Sequence, residues 1–417
     1  MKRMSLVGSA LAVAIAAVTA MPAKSADTIK IGLIEPFSGP IAVVGLDQLE
    51  AMQIAAAEIN AKGGPLGKKI EIVKLDNAMK AEKTTEQLRK AIDAGLRFVS
   101  QGVGSNHALN IIKQLKKHNK RNPDKAILFL NHSAVTTAFT NELCSFWHFR
   151  FDANVDMKVA ALLTSMGRDK EVKNVYMLNQ NYAYGKSFQA AANKLVADRA
   201  KNVKFVGDDL MVPFGKVQDF TPFVAKLKSL NADTVLTGNW GPDLIRFVKA
   251  TSDAGLDMQF YTIYGGLSSS VAGYGKEAGL KVRLKQITEL HENMDQSDSS
   301  MAFGEMFKAK TGKTWYADRN RWLIHMFAAA VEKAGSDDPK AVGYALEGMS
   351  FDGPLGNVVM RKSDHQMQMA MVLSEIDGSP KKNFIYNKKD YGIGFKTMDV
   401  VKLDDVSQPT TCEMQRP

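Results

Sequence analysis

The residues able to support covalent or metal chemistry are few in this chain, and their spacings argue against that use. The seven histidines (107, 118, 132, 148, 291, 325 and 365) show neither H-x3-H nor H-E-x-x-H spacing, so no metal site is expected. GVGSNH begins like a dinucleotide-binding loop but has His107 where the third glycine belongs. GGPLGKK lacks the leading glycine spacing of a phosphate loop and ends in Lys69, not Ser or Thr; it reads as a helix stop and turn. There is no G-x-S-x-G, and GLSSS at 266–270 has the wrong context for a nucleophile. Arg361, Asp364 and His365 stand together in VVMRKSDHQ, where a salt bridge at a hairpin end is the simpler reading. Neither catalysis nor a cofactor is expected. What remains is non-covalent capture. The apolar run at 29–34 opens into a Pro/Ser/Gly loop, PFSGP, the kind of strand end that lines a ligand crevice in α/β proteins.

The chain opens with an export signal. Lys2 and Arg3 precede an uncharged Ala/Val-rich run over 6–20, shorter than the ~20 apolar residues needed to cross a bilayer. Small residues at Ala20, Ala23, Ser25 and Ala26 offer cut sites, no cysteine stands near them, and residues 1–26 are assigned to the leader. Its loss lowers the formal net charge from +10 to +7, with the remaining bases scattered over helix faces. A solvated surface fits this pattern better than a nucleic-acid site. Two cysteines remain, Cys144 and Cys412, and two in an exported chain pair more often than not; two separate buried thiols are the alternative.

About 390 mature residues exceed one ordinary core and imply two domains. Apolar runs suited to buried parallel strands fall at 29–34, 70–75, 98–100, 126–130, 175–178, 203–210, 234–237 and 259–263. Helical patterns alternate with them at 47–61, 81–94, 107–118, 156–166, 188–197, 220–230 and 242–254. Such alternation predicts parallel sheets with helices on both faces. The strand–loop–helix series runs once through 28–145 and again through 172–280, followed by helices at 301–311, 318–334 and 338–347 and a hairpin-like segment at 351–361. The expected fold is α/β, with two doubly wound lobes joined by a three-strand hinge. Lobe 1 takes residues 27–150 plus 288–372, lobe 2 takes 151–287 plus 373–400, and 401–417 forms a C-terminal tail.

IKIGLIEPFSGP, EINAKGGPLGKKIEIVKLD, GVGSNHAL, ILFLNHSAVTTAFT, NQNYAYGKSF and ADTVLTGNWGPDLIRFVKATSDAGL occur in that order. Together they resemble the type I periplasmic solute-binding proteins of ABC transporters, in the leucine/isoleucine/valine-binding branch. The resemblance implies a ligand carboxylate held on lobe 1 by Ser105, with its neighbours Gly104 and Asn106, and by the loop carrying Ser133 and Val135. A hydroxyl and free amides at a helix N-terminus suit an anion, because dipole and donors point the same way. Ser133 is expected to give its amide. Val135 stands where a Thr is usual, so either Thr136 supplies the hydroxyl or that bond is missing. Val44, in the loop after the first strand, replaces a frequent aromatic. From lobe 2 the resemblance implies Tyr184 and Trp240, each of which could alternatively be ordinary packing.

Tyr264, in FYTIYGG, occupies the place where amino-acid-binding members carry an acid for the ligand's ammonium group. Asp243 and Glu289 are the remaining, distant acids. Burying an unpaired ammonium costs several kcal/mol. The expected ligand is therefore a small carboxylate-bearing solute: an aromatic or branched organic acid, or the branched-chain amino acid of the family name. The expected function is periplasmic capture by hinge closure and delivery to the membrane permease of an ABC importer, as a monomer. An exported ligand-sensing subunit of a membrane receptor is the alternative.

Overall fold

A computed structural model describes Met1 and residues 28–211 and 214–417, so residues 2–26 of the expected leader lie outside the described residues. Five strands form one all-parallel sheet: β1 (Thr28–Glu35), β2 (Lys69–Asp76), β3 (Phe98–Gln101), β4 (Leu128–Asn131) and β5 (His148–Arg150). Their order is β2-β1-β3-β4-β5. Helices α1 (Ala42–Ala61), α2 (Ala81–Asp93) and α3 (Ser105–Arg121) make the crossovers. Ile31 and Leu33 of β1 face one apolar core while Ile34 faces another, which is why this central strand is apolar on both sides.

The second series repeats the plan. After α4 (Val155–Arg168) come β6 (Asn174–Gln180), α5 (Ala183–Arg199), β7 (Lys204–Met211), α6 (Thr221–Ser229), β8 (Thr234–Thr237), α7 (Gly241–Asp253), β9 (Gln259–Thr262), α8 (Ser268–Lys281) and β10 (Leu284–Thr288). The chain then returns to the first lobe as α9 (Asp298–Thr311), α10 (Arg319–Ala334) and α11 (Pro339–Leu346), with a small antiparallel sheet of β11 (Ser350–Gly353), β12 (Gly356–Met360) and β13 (Met367–Gln368). Helix α10 packs on α1 and α11. A last crossing leads to β14 (Met371–Asp377), the short pair β15 (Ile385–Tyr386) and β16 (Lys389–Asp390), and β17 (Gly394–Val401). The second sheet runs β17-β14-β10-β9-β8-β6-β7, with β14 antiparallel to both its neighbours, β10 and β17.

In both sheets the first strand of the series sits between the second and the third, so the strand order reverses there. Loops leaving the strands on either side of such a reversal diverge and leave a crevice at their carboxyl ends. In lobe 1 that point lies between β1 and β3, and in lobe 2 between β6 and β8. The ligand loops singled out in the sequence leave these strands and their neighbours.

The first and third crossings are stitched to each other and to α10. Gln366 Nε2 donates to the Asp152 carbonyl (2.7 Å), Arg150 Nε donates to Gln366 Oε1 (2.7 Å), and Trp322 Nε1 donates to the Phe151 carbonyl (2.8 Å). Burial pulls the Arg150 guanidinium down to about 10, and its Nη1 donates to the Thr136 carbonyl at 2.6 Å. Arg150 therefore holds the loop after β4 from below.

Cys144 and Cys412 form a disulfide with a Cα–Cα distance of 5.7 Å. The terminal residues cross back after α12 (Leu403–Val406), which packs on α4 of lobe 2. They then lie on lobe 1, where Thr410 Oγ1 donates to the Thr140 carbonyl (2.8 Å) and the Thr411 amide donates to Asn141 Oδ1 (2.9 Å). The tail is thus a fourth link between the lobes. Closing a 268-residue separation restricts the unfolded chain strongly. The Cys144→Ser/Cys412→Ser double variant is expected to lose about 2–4 kcal/mol of unfolding free energy in urea titrations. An unchanged midpoint would contradict this.

Candidate functional site

One cleft, of about 440 Å³ counted to its open mouth, lies between the lobes. From lobe 1 it takes Val44, Gly104, Ser105, Ser133 and Val135, and from lobe 2 it takes Tyr184, Trp240 and Tyr264. These are eight of the nine ligand-binding residues expected from the sequence. Asn106 is the exception: it sits in the first turn of α3 with its side chain exposed, and does not line the cleft.

Gly104 caps α3 with φ at +90°, a conformation that costs a side chain strain, and an added Cβ would meet His107 Cδ2 at 2.8 Å. The turn aims the start of α3 at the cleft. Amides in a helix's first turn have no intrahelical acceptor, so those of Ser105 and Asn106 remain for a ligand beside the buried Ser105 hydroxyl. The preceding amides are already used. Gly102 N and Val103 N donate to Glu35 Oε1 at 2.6 and 3.0 Å, and His132 Nε2 lies 3.1 Å from the same oxygen. Glu35 is fully buried and shapes the loop from beneath.

Two expectations for lobe 1 need correction, and one open alternative is narrowed. Val44 belongs to the first turn of α1 and not to the loop before it, because that helix begins at Ala42. The Ser133 amide donates to Asn131 Oδ1 (3.2 Å) as part of an Asn-centred turn that also binds the Ala134 amide (2.8 Å), which leaves the Ser133 hydroxyl as its free donor. Thr136 does not replace the hydroxyl missing at Val135: it is outside the cleft lining, with its own Oγ1 buried and unpartnered.

Lobe 2 contributes an aromatic wall. Trp240 stacks on Phe214 with centroids 4.5 Å apart and donates from Nε1 to the Tyr182 hydroxyl at 2.7 Å. The Tyr184 ring lies 5.8 Å from that of Tyr182 and 5.9 Å from that of Tyr264. The approach of α5 to β6 requires Gly185, where a Cβ would stand 1.8 Å from the Gln180 carbonyl oxygen. The Tyr184 hydroxyl is buried without a hydrogen-bond partner. Burial lifts the Tyr184 and Tyr264 phenols well above the ordinary range, so both stay neutral. Across the mouth, the Thr137 amide of lobe 1 donates to Ser187 Oγ of lobe 2 at 3.2 Å, and the lobes are in contact.

The most consequential residue was not legible in the sequence. Arg319, the first residue of α10, lines the floor of the cleft. Its Nη1 donates to Glu289 Oε1 at 2.6 Å and its Nε faces Asp152 Oδ2 at 3.6 Å. Asp152 in turn pairs with Lys158 at 2.8 Å, and Lys158 Nζ lies 5.6 Å from the centroid of the Tyr264 ring. Burial alone would lower the Arg319 guanidinium; the facing Glu289 and Asp152 carboxylates outweigh it and hold the group above the usual arginine range. Gln48, Gly102, Val103, Tyr182 and Leu267 complete the lining. Among the described residues, no Asp or Glu lines the cleft. Asp243 lies outside the lining: its Oδ2 accepts from Gln180 Nε2 (2.8 Å) and the Gly215 amide (2.9 Å), while its Oδ1 is buried without a hydrogen-bond partner; Glu289 Oε1 accepts from Arg319.

A two-lobed α/β protein with a polar seat on one lobe, an aromatic wall on the other and a stitched hinge defines a solute-binding class. The comparisons with known proteins agree. Residues 28–382 match the family model described as periplasmic binding protein. The chain is 32% identical over 403 residues to the Leu/Ile/Val-binding protein homolog 4 of Brucella abortus, covering 94% of each chain. The solved leucine-, isoleucine-, valine-, threonine- and alanine-binding protein of Brucella ovis, in its closed conformation, superposes with a TM-score of 0.85 at 29% identity, over 94% of this chain and all of that one. A Rhodopseudomonas palustris solute-binding protein solved in complex with benzoate shares the fold, with a TM-score of 0.74 at 20% identity over 93% of this chain and 99% of that one. The chain belongs to the periplasmic binding protein family, in its branched-chain amino-acid-binding branch. Its relatives are solute-binding proteins and not enzymes.

Proposed function

We propose that this protein captures, in the periplasm, a small solute with one carboxylate and no α-ammonium group, and hands it to the permease of an ABC importer. The carboxylate sits on Ser105 and the first amides of α3, with the Ser133 hydroxyl beside it, and Tyr184, Trp240 and Tyr264 close over the carbon skeleton. A ligand that touches both lobes stabilises the closed form relative to the open one, so closure reports occupancy to the permease. The observation that carries this reading is the charge of the lining: among the described residues its one ionised side chain is Arg319, and no carboxylate lines the cleft to receive an ammonium. An ammonium placed there would lose its hydration without an ion-pair partner and would meet a guanidinium of like charge.

A branched-chain amino acid is the second reading. The names of the Brucella relatives favour it.

Mass spectrometry of the solute carried by natively purified protein identifies the ligand directly. Calorimetry with that solute then tests the seat. A charge-assisted hydrogen bond contributes about 1.5–3 kcal/mol, so Ser105→Ala is expected to weaken binding about ten- to a hundredfold. Unchanged affinity would remove Ser105 from the seat.

A further inference from the structure

We infer that Arg319 is a specificity-determining residue that reads an uncharged oxygen acceptor, an oxo or hydroxyl group, on the ligand. This rests on the carboxylate-without-ammonium reading above and narrows it.

Three observations carry the inference. The first is an unused donor. Arg319 commits Nη1 to Glu289 and turns Nε toward Asp152, but Nη2 has no hydrogen-bond partner among the described residues. Nε is sealed from solvent without a hydrogen bond, whereas Nη2 is not among the sealed unpaired atoms. The open spaces that Arg319 lines are the cleft and a smaller space behind Tyr264 and Leu267. A guanidinium donor left open on a cleft floor is a donor available to a ligand.

The second is charge balance. Arg319 and Lys158 face Asp152 and Glu289, and this buried group of two cations and two anions sums to zero. A second ligand carboxylate would give the site an uncompensated negative charge in a poorly solvated place. An ammonium would add a positive charge beside the guanidinium. An oxo or hydroxyl oxygen takes the open N–H and leaves the balance intact.

The third is the neighbourhood of that donor. Tyr264 brings a neutral phenol beside Arg319, and the two line both the cleft and the smaller space behind it. A ligand oxygen with two lone pairs can accept from Arg319 and a phenol together.

The ligand class is therefore a monocarboxylate with a second, uncharged oxygen. Matched probes test this on the full mature chain by calorimetry: 4-methyl-2-oxopentanoate against 4-methylpentanoate, and 4-hydroxybenzoate against benzoate. On whichever skeleton the cleft accepts, the oxygenated member is expected to bind at least tenfold tighter than its partner. In Arg319→Lys, which keeps a cation facing Glu289 but loses the planar fork, that ratio falls toward one, and a thermal melt checks that the variant is folded. If the variant does not fold, the wild-type ratio decides alone. Equal affinities within a bound pair overturn the role of Arg319 while the carboxylate reading survives. Tighter binding of isobutylmalonate overturns the argument from charge balance. Tighter binding of leucine, or binding of none of these acids, overturns both.

Discussion

Arg319→Met is expected to lower the unfolding free energy by about 3–5 kcal/mol, because it leaves the Glu289 and Asp152 carboxylates buried without their shared partner. Both acids are nearly inaccessible to water, at 3% and 0% exposure, so solvent cannot compensate the loss. Each lies on a crossing between the lobes, and the damage should therefore concentrate at the hinge. Removing the opposing charge as well, in Arg319→Met/Glu289→Gln, is expected to restore much of the stability, since replacing both members of a buried pair is far cheaper than orphaning one. Urea titrations of the two single variants and the double variant give the coupling directly. Additive losses would mean that the two groups do not act as a pair.

The second large effect concerns ligand choice. Tyr264→Glu places a carboxylate on the lobe 2 wall, with Arg319 and Lys158 close enough to keep it ionised. The variant is expected to gain leucine affinity of at least a hundredfold over wild type, the several kcal/mol that an ammonium costs when buried alone. Binding of acids without an amino group should weaken in parallel, because the new charge faces their oxygen end. Calorimetry with leucine on both proteins measures the gain. Tight leucine binding by the wild type that is lost in the variant would overturn the assignment of Tyr264.

The architecture was legible where periodicity and apolar runs carry it. The parallel strands β1–β4 and β6–β9 stand where apolar runs predict them; the inner strands are buried on both faces and carry little polar interruption, while the edge strands β2 and β7 are partly exposed. The disulfide followed from having two cysteines in an exported chain, and the Arg361–Asp364 salt bridge (2.6 Å) from a hairpin end. Helix α8 was not anticipated: SSSVAGYGKEAGLK has little apolar stripe and breaks at Gly275, whose φ is +76°. The antiparallel pairing of β14 and β17 was equally hidden, because β17 is an edge strand with Met398 and Val400 exposed. At the site, loops that follow strands at the points of order reversal were readable from their small-residue and aromatic motifs. Tyr182 stood two residues from an expected position and was passed over. Arg319 had no local signal, since it reaches the cleft only when α10 packs on α1, some 270 residues away in the chain.

The central claim is that this cleft holds a carboxylate and turns away an ammonium. Titrating the ligand-free protein with leucine and with 4-methylpentanoate, which share a skeleton and differ by the amino group, tests it most directly. Heat from the acid with little or none from leucine is the predicted result. Leucine binding more tightly than the acid would contradict it.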